Sequence, residues 1–356
     1  MGTYVVRRLL WMIPTLIGIT FLTFLVMQLT PGDPAELKFQ GAAFSGEGAA
    51  AESGSIEAAI TRFRRENLLD QPIWKQYLHY VGPFDLGPDG HPWFGGSGEH
   101  PWGGLLLGDL KHEIFRPTVP IREELGRRLR VTVPFALLSI LLSYLIALPL
   151  GIASVVKRGT VFDAGATVVV FLLYAIPTFW AGLMLQLVFG ASWLDWLPIL
   201  GLHDKTAASM GRVDWLVDLG LHALLPLSCL TYGSFAYISR QMRVGMIETI
   251  QQDYVRTARA KGLRERSVVL KHVLRNSLIP VVTLFASILP YLIGGSVIVE
   301  SIFDIPGMGK YAFEGLLQRD YFIVMATTTL SAVLTLIGIL VSDIAYGLVD
   351  PRIRYD

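Results

Sequence analysis

The residues able to carry chemistry are few and dispersed. Four histidines, His79, His91, His100 and His112, fall in one polar stretch. Zinc sites need closer pairing, with cysteine or a His-x-x-x-His step, so these read as scattered surface histidines. Gly307–Tyr311, GMGKY, has the Gly-Lys of a phosphate-binding loop, but Tyr311 stands where that loop needs Ser or Thr. Neither H-E-x-x-H nor G-x-S-x-G occurs. Gly294-Gly295-Ser296 lies in an apolar run, where Gly and Ser serve close helix packing rather than nucleophilic catalysis. The one cysteine, Cys229, excludes an internal disulfide and reads as a small buried hydrophobe. Glu300 and Asp343 lie near the ends of apolar runs and do not form a proton relay; local pairing is expected for both. No catalytic or metal-binding residue is therefore assigned. The stretch Asp253–Pro280, DYVRTARAKGLRERSVVLKHVLRNSLIP, remains: a basic segment between two apolar ones, with the character of a docking surface.

The surrounding elements are membrane spans. Of 356 residues, 52% are hydrophobic and only 17% charged, well below the charged share of soluble domains. A net charge of +1 gives no reason to expect a nucleic-acid partner. Six stretches are long enough to cross about 30 Å of hydrocarbon as helix: Leu9–Leu29, Val133–Val156, Thr167–Ala191, Leu221–Ser239, Leu278–Ile302 and Phe322–Tyr346. The expected fold is all-α, a polytopic membrane protein. The first run is longer than a signal-peptide core and no small-x-small site follows it, so it reads as an uncleaved span. Basic residues in the short loops put Arg7, Arg8, Lys157, Arg158, the Arg240–Arg275 cluster, Arg352 and Arg354 on the cytoplasmic side, with both termini. Trp193 and Trp196 suit the outer interface.

Three regions follow: residues 1–29, tail and first span; 30–132, an extracytoplasmic segment; and 133–356, a core of five spans with a cytoplasmic loop at 240–277. In the outer segment, Gly41–Ser55 has a disorder-prone composition, Ile56–Tyr80 is helical on both sides of an Asp70-Gln71-Pro72 turn, and Gly82–Gly104 is loop. Ile121–Arg130 is a charged helix leading into the second span. In the cytoplasmic loop, Thr249 and Gln252 have capping-box spacing. Ile250, Tyr254, Val255 and Ala258 make one apolar face, and Gly262 suits a left-handed stop. Arg256, Arg259 and Lys261 occupy the end that the helix dipole favours for cations. A short amphipathic helix of about three turns is expected there; lying flat on anionic lipid is its other reading.

YVRTARAKGL followed by RNSLIPV resembles the cytoplasmic loop of permease subunits of binding-protein-dependent ABC importers, in the dipeptide/oligopeptide branch. The general signature, E-A-A-x-x-x-G-x9-I-x-L-P, is kept literally only at Ala258, Gly262 and Leu274; the peptide-branch form, T-A-R-A-K-G-L then R-N-x-L-x-P, is matched closely. The N-terminal YVVRRLLWMIPTLIGITFLTFLVMQLTPGDPA, LLDQPIWKQYLHYV, PLGIASVVKRGTVFD, FDIPGMGKYAFEGLLQRDY and the closing LVDPRIR are similar to the same branch. Lys38–Ser55 and Gly82–Gly104 look like enlargements of that scaffold.

The resemblance implies a subunit of the bacterial inner membrane that forms half of a path for di- or oligopeptides. It implies no bound cofactor, ATP and Mg2+ being used by partners: one or two ABC ATPase subunits, beside a second homologous permease, an extracytoplasmic substrate-binding protein and membrane lipid. The docking helix would place Tyr254, Val255, Ala258 and Gly262 in a cleft of the ATPase, with Arg256, Arg259 and Lys261 at its rim. The path would run by irregular helix, at Pro177, Pro290, Gly294 and Gly295, with Thr178, Ser287, Tyr291 and Ser296 as polar contacts. Another solute, such as nickel chelates or glycosides, and a membrane module without ATPase partners are the alternatives.

Overall fold

The computed structural model describes residues 2–30, 32–36, 38–39, 53–82, 104–190, 193–278 and 296–349. Most of the fifth expected span, with Ser287, Pro290, Tyr291, Gly294 and Gly295, lies outside them, as do most of Gly41–Ser55 and Gly82–Gly104, His91 and His100. The described chain is all-helical apart from turns and one isolated bridge, His112 with Pro120. Among the described residues, four helices are long and apolar enough to cross a membrane, and five spans result if one bent pair is counted as one. These are α1 (Gly2–Leu29), α4 (Ile121–Val156), α7 (Arg212–Ile250), α12 (Tyr321–Val349) and the pair α5 (Val161–Ala175) with α6 (Thr178–Phe189). Two compact units divide the chain.

The first unit holds residues 1–8, 128–310 and 334–356. The stretch expected as the third span is not straight: α5 and α6 meet at 100°. Pro177 lacks an N–H and drives Ile176 into an extended conformation, with ψ 123°. The Tyr232 hydroxyl donates to the freed Ile176 carbonyl at 2.8 Å, so the break leaves no orphan there. Farther along, the Gln186 amide donates to the Ile302 carbonyl (2.8 Å) and to that of Ile199 (3.1 Å). That joins α6 to α10 (Val297–Ile302). Cys229 packs with Leu225, Val299, Phe303 and Ile305 as a buried hydrophobe, as expected. Asp343 accepts from Tyr4 (3.0 Å) and pairs with Arg8 (3.0 Å), the local pairing read from the sequence.

The second unit holds residues 9–127 and 311–333. Its α2 (Ser53–Glu66) and α3 (Ile73–Val81) flank the expected turn at Pro72. Phe24, Tyr80 and Met325 form one small core, and Ala35, Phe63 and Ile114 another. The start of α12 is capped by Asp320, which accepts from the Phe322 and Ile323 N–H groups (both 3.1 Å) and from that of Ile114 (2.6 Å). Burial pushes its carboxyl up to about 6 even so. The Tyr311 hydroxyl, in α11 (Met308–Gln318), donates to buried Glu113 at 2.9 Å. His79, expected at the surface, is buried, and burial followed by the charge of Lys111 holds it down at about 3. Among the described residues no group of His, Cys, Asp or Glu has metal-binding geometry.

Candidate docking site

Thr249 does not cap a new helix: it lies in the last turn of α7, and its hydroxyl donates back to the Gly245 carbonyl at 2.7 Å. The next helix, α8 (Asp253–Ala260), has Gln252 at its N-cap without a side-chain bond. It is eight residues long, about two turns rather than three. Ile250 belongs to α7, which carries helix geometry further than the polar sequence suggests because Met242, Met246 and Gly245 are buried along it. Gly262 is the expected left-handed stop, with φ +75°; its N–H bonds the Arg259 carbonyl at 2.9 Å.

α8 is amphipathic, and its apolar face is already used. Val255 is 0% exposed and Ala258 6%, both in a core with Met242 and Met246 of α7, Ala147 and Val155 of α4, and Val268, Val269 and Val273. Val255 and Ala258, expected to enter a cleft on a partner, are thus covered by this chain itself. An amphipathic pattern shows that a face is covered, not by which chain. The covering valines lie in α9 (Glu265–Ser267) and the π-helical stretch Val268–Val273 that continues it. The wider π turn brings Val268, Val269 and Val273 into one core.

What faces outward is polar and basic. Tyr254, Arg256, Arg259, Lys261 and Gly262 are exposed, as are Leu263, Arg264, Arg266, Lys271 and Arg275. Between residues 253 and 278 there are seven Lys or Arg against two Asp or Glu. Arg259 donates twice to Glu265 (2.7 and 3.1 Å), and this bond holds the Glu265 carboxyl below the usual range. Asn276 donates to the Tyr254 hydroxyl at 2.7 Å. Leu263, Arg264, Arg266 and Lys271 join this face; the basic stretch read from the sequence contains them, but the docking residues named within it ended at Gly262.

The loop is tied to the spans. Ser277 donates to the Gly245 carbonyl at 3.2 Å, close to α7 where a Cβ on Gly245 would already touch Ser277. Gly151 of α4 is tighter: its Cβ would sit 2.9 Å from the Met242 Cβ. Such close-packed helices move together rather than bend apart.

Of the path residues, Pro177 forms the break between α5 and α6 and is exposed, with Thr178 half-buried beside it. Ser296 caps α10, accepting from the Val299 N–H at 3.4 Å. Beside it lies a feature the sequence reading did not assemble. Buried Glu300 accepts from the Lys310 N–H (2.8 Å) and the Thr132 hydroxyl (3.0 Å), and Thr132 accepts from the Met308 N–H (2.8 Å). The Gly307 and Gly309 of GMGK permit this: a Cβ on Gly307 would collide with the Glu300 carboxyl, and one on Gly309 would lie 2.7 Å from the Val297 nitrogen. The motif is thus a cradle for a carboxylate of its own chain.

A membrane-embedded helical scaffold with an outward basic loop matches a known group. The family model for the binding-protein-dependent transport system inner membrane component matches residues 132–355, and the chain belongs to that family. It is an inner-membrane, multi-pass permease subunit of an ABC importer, and the ATPase of such systems is a separate subunit. It is 36% identical to the oligopeptide transport system permease protein AppB of Bacillus subtilis over 355 residues, covering 100% of both chains. It is 32% identical to the dipeptide transport system permease protein DppB of Escherichia coli K12, covering 99% of this chain and 98% of that one. The di/tripeptide permease DppB of Pseudomonas aeruginosa is 36% identical, with 100% and 99% covered. Among solved structures, the inward-facing MetNI methionine ABC transporter has the same fold: TM-score 0.50, 18% identity, 65% of this chain and 98% of that one covered. Family membership sets aside the reading of a module without ATPase partners.

Proposed function

We propose that this chain forms half of the transmembrane path of an importer of di- or oligopeptides. The observation that carries the reading is likeness along the whole chain to three permeases named for peptide transport. Six spans with both termini in the cytoplasm complete the topology, the fifth including residues 278–302. A second homologous permease supplies the other half of the path, and an external binding protein delivers the cargo.

The α8–α9 loop docks on one or two ATPase subunits. Its docking face is Tyr254, Arg256, Arg259, Lys261 and Gly262, extended by Leu263 and Arg264, all of them exposed. Val255 and Ala258 transmit rather than touch: they lock α8 to α4 and α7, so a push on the loop reaches the spans as rigid-body motion. The path follows the irregular helix at Pro177 and Thr178 and the stretch from Ser287, Pro290 and Tyr291 through Gly294 and Gly295 to Ser296.

Reconstitution tests this. The chain, with its partner permease, ATPase subunits and binding protein in proteoliposomes, should accumulate labelled di- and oligopeptides only with ATP and Mg2+. Accumulation of a nickel chelate or a glycoside, with no peptide uptake, would refute the peptide assignment and leave the subunit class intact.

A further inference from the structure

A large cavity lies away from the loop, between α5 and α7. It is a groove of about 590 Å³, lined by Val170, Phe171 and Tyr174 on one side and by Tyr237, Arg240 and Arg243 on the other. Its two ends differ in chemistry. At one end Arg243 grips buried Asp163 at 3.1 Å, and Asp163 also accepts from the Gly159 N–H at 3.2 Å. That cation is neutralised. Arg240, one turn along α7, is exposed and makes no hydrogen bond or ion pair among the described residues. Beyond it the wall turns apolar and aromatic.

The groove also stands at a defined depth. From Leu219 to Ser239, α7 carries no Asp, Glu, Lys or Arg, and Arg240 is the first charge after that stretch. Such a residue sits where the hydrocarbon gives way to headgroups. From Asp163 to Tyr174 is three helical turns, roughly 16 Å, running inward along the apolar stretch. Lys157 and Arg158, exposed in the adjoining loop, add to the positive potential at its mouth. Val161 and Phe162 beside them expose apolar surface to the same layer. A free cation at headgroup depth, continued by an apolar trench, matches an acidic phospholipid: phosphate at Arg240, one acyl chain along Val170, Phe171 and Tyr174.

We propose that the α5–α7 groove is a binding site for an anionic phospholipid, with Arg240 as the residue that selects its headgroup. The proposal stands apart from cargo identity and from the docking loop.

The test uses the full complex in nanodiscs of phosphatidylcholine with a minority of phosphatidylglycerol, counting retained lipids by native mass spectrometry. Wild type should retain phosphatidylglycerol preferentially. Arg240→Gln should lower that preference about fivefold, the effect of one basic residue at the membrane surface, and Arg240→Lys should keep most of it. Val170→Trp, which leaves the charges in place and fills the trench, should reduce retention as well. Unchanged phosphatidylglycerol retention in Arg240→Gln overturns the proposal. Should that variant fail to assemble, unchanged retention in Val170→Trp does the same. Weaker peptide uptake by Arg240→Gln in pure phosphatidylcholine vesicles, with lipid retention intact, would make Arg240 a cargo contact and also overturn it.

Discussion

A Cβ on Gly262 would meet no atom of the described residues within 4 Å beyond its two chain neighbours, yet its φ of +75° disfavours any L side chain. These facts separate two effects in one experiment. Gly262→Ala should cost only the backbone preference, about 1–2 kcal/mol locally, and leave transport per ATP near wild type. Gly262→Trp adds bulk at an exposed position where a Cβ meets open space, so further loss of coupling reports a partner's surface. Equal coupling in the two variants would take Gly262 out of the interface. Glu300 behaves oppositely, being enclosed by its own chain. Glu300→Gln replaces one carboxylate oxygen with an NH2 group facing donors, and should lower stability by about 1–3 kcal/mol, read as a fall in the melting temperature of the purified complex. His79 gives a pH signature. Its folded pKa of about 3 lies below the usual 6.5, so the stability it contributes is whole above pH 6.5 and is lost as the pH falls toward 3. Amide exchange in Ile73–Val81, corrected for intrinsic rates, should quicken by up to about tenfold per pH unit below 6.5. Asp320 acts with opposite sign: raised to about 6, it adds stability as the pH falls through 6. In His79→Gln the acid-side loss should therefore vanish or reverse.

At the scale of elements, α8 shows what sequence could and could not supply. Its existence, its amphipathic pattern and its stop at Gly262 follow from residue spacing and from the one residue type at ease with positive φ. The owner of its buried face did not follow, because covering Val255 depends on Val268, Val269 and Val273 across a π turn that no local pattern announces. Thr249 misled for a related reason. Its hydroxyl has a carbonyl one turn back at Gly245, and burial of Met246 keeps α7 helical past the polar sequence. The Pro177 break was legible as an irregularity; the 100° turn was not, since it also depends on Tyr232 accommodating the Ile176 carbonyl. The Glu300 cradle left one readable trace, the paired Gly307 and Gly309 next to an acid at a span end. Element-level anchoring makes its own prediction. Val255→Asp buries an unpaired charge at a cost of about 3–5 kcal/mol and should detach α8. ATPase subunits should then be lost on purification while the chain still inserts in the membrane; full copurification would contradict the anchoring role.

For the whole molecule, hydropathy made the membrane class plain, because lipid leaves few ways to satisfy a backbone. Function was legible only through the loop and the chain-long resemblance, since a permease has no catalytic residues to find. In the proposed mechanism a separate ATPase subunit on the cytoplasmic side drives this scaffold through the exposed face of α8. With Cys229 buried, single cysteines introduced at the loop give clean reporters. The most direct measurement is thiol cross-linking in native membranes from Arg256→Cys, Lys261→Cys and Val255→Cys. The first two should form adducts with the ATP-hydrolysing subunit, and the third, 0% exposed in the parent chain, should not. Cross-linking from Val255→Cys alone, or from none of the exposed positions, would contradict the account.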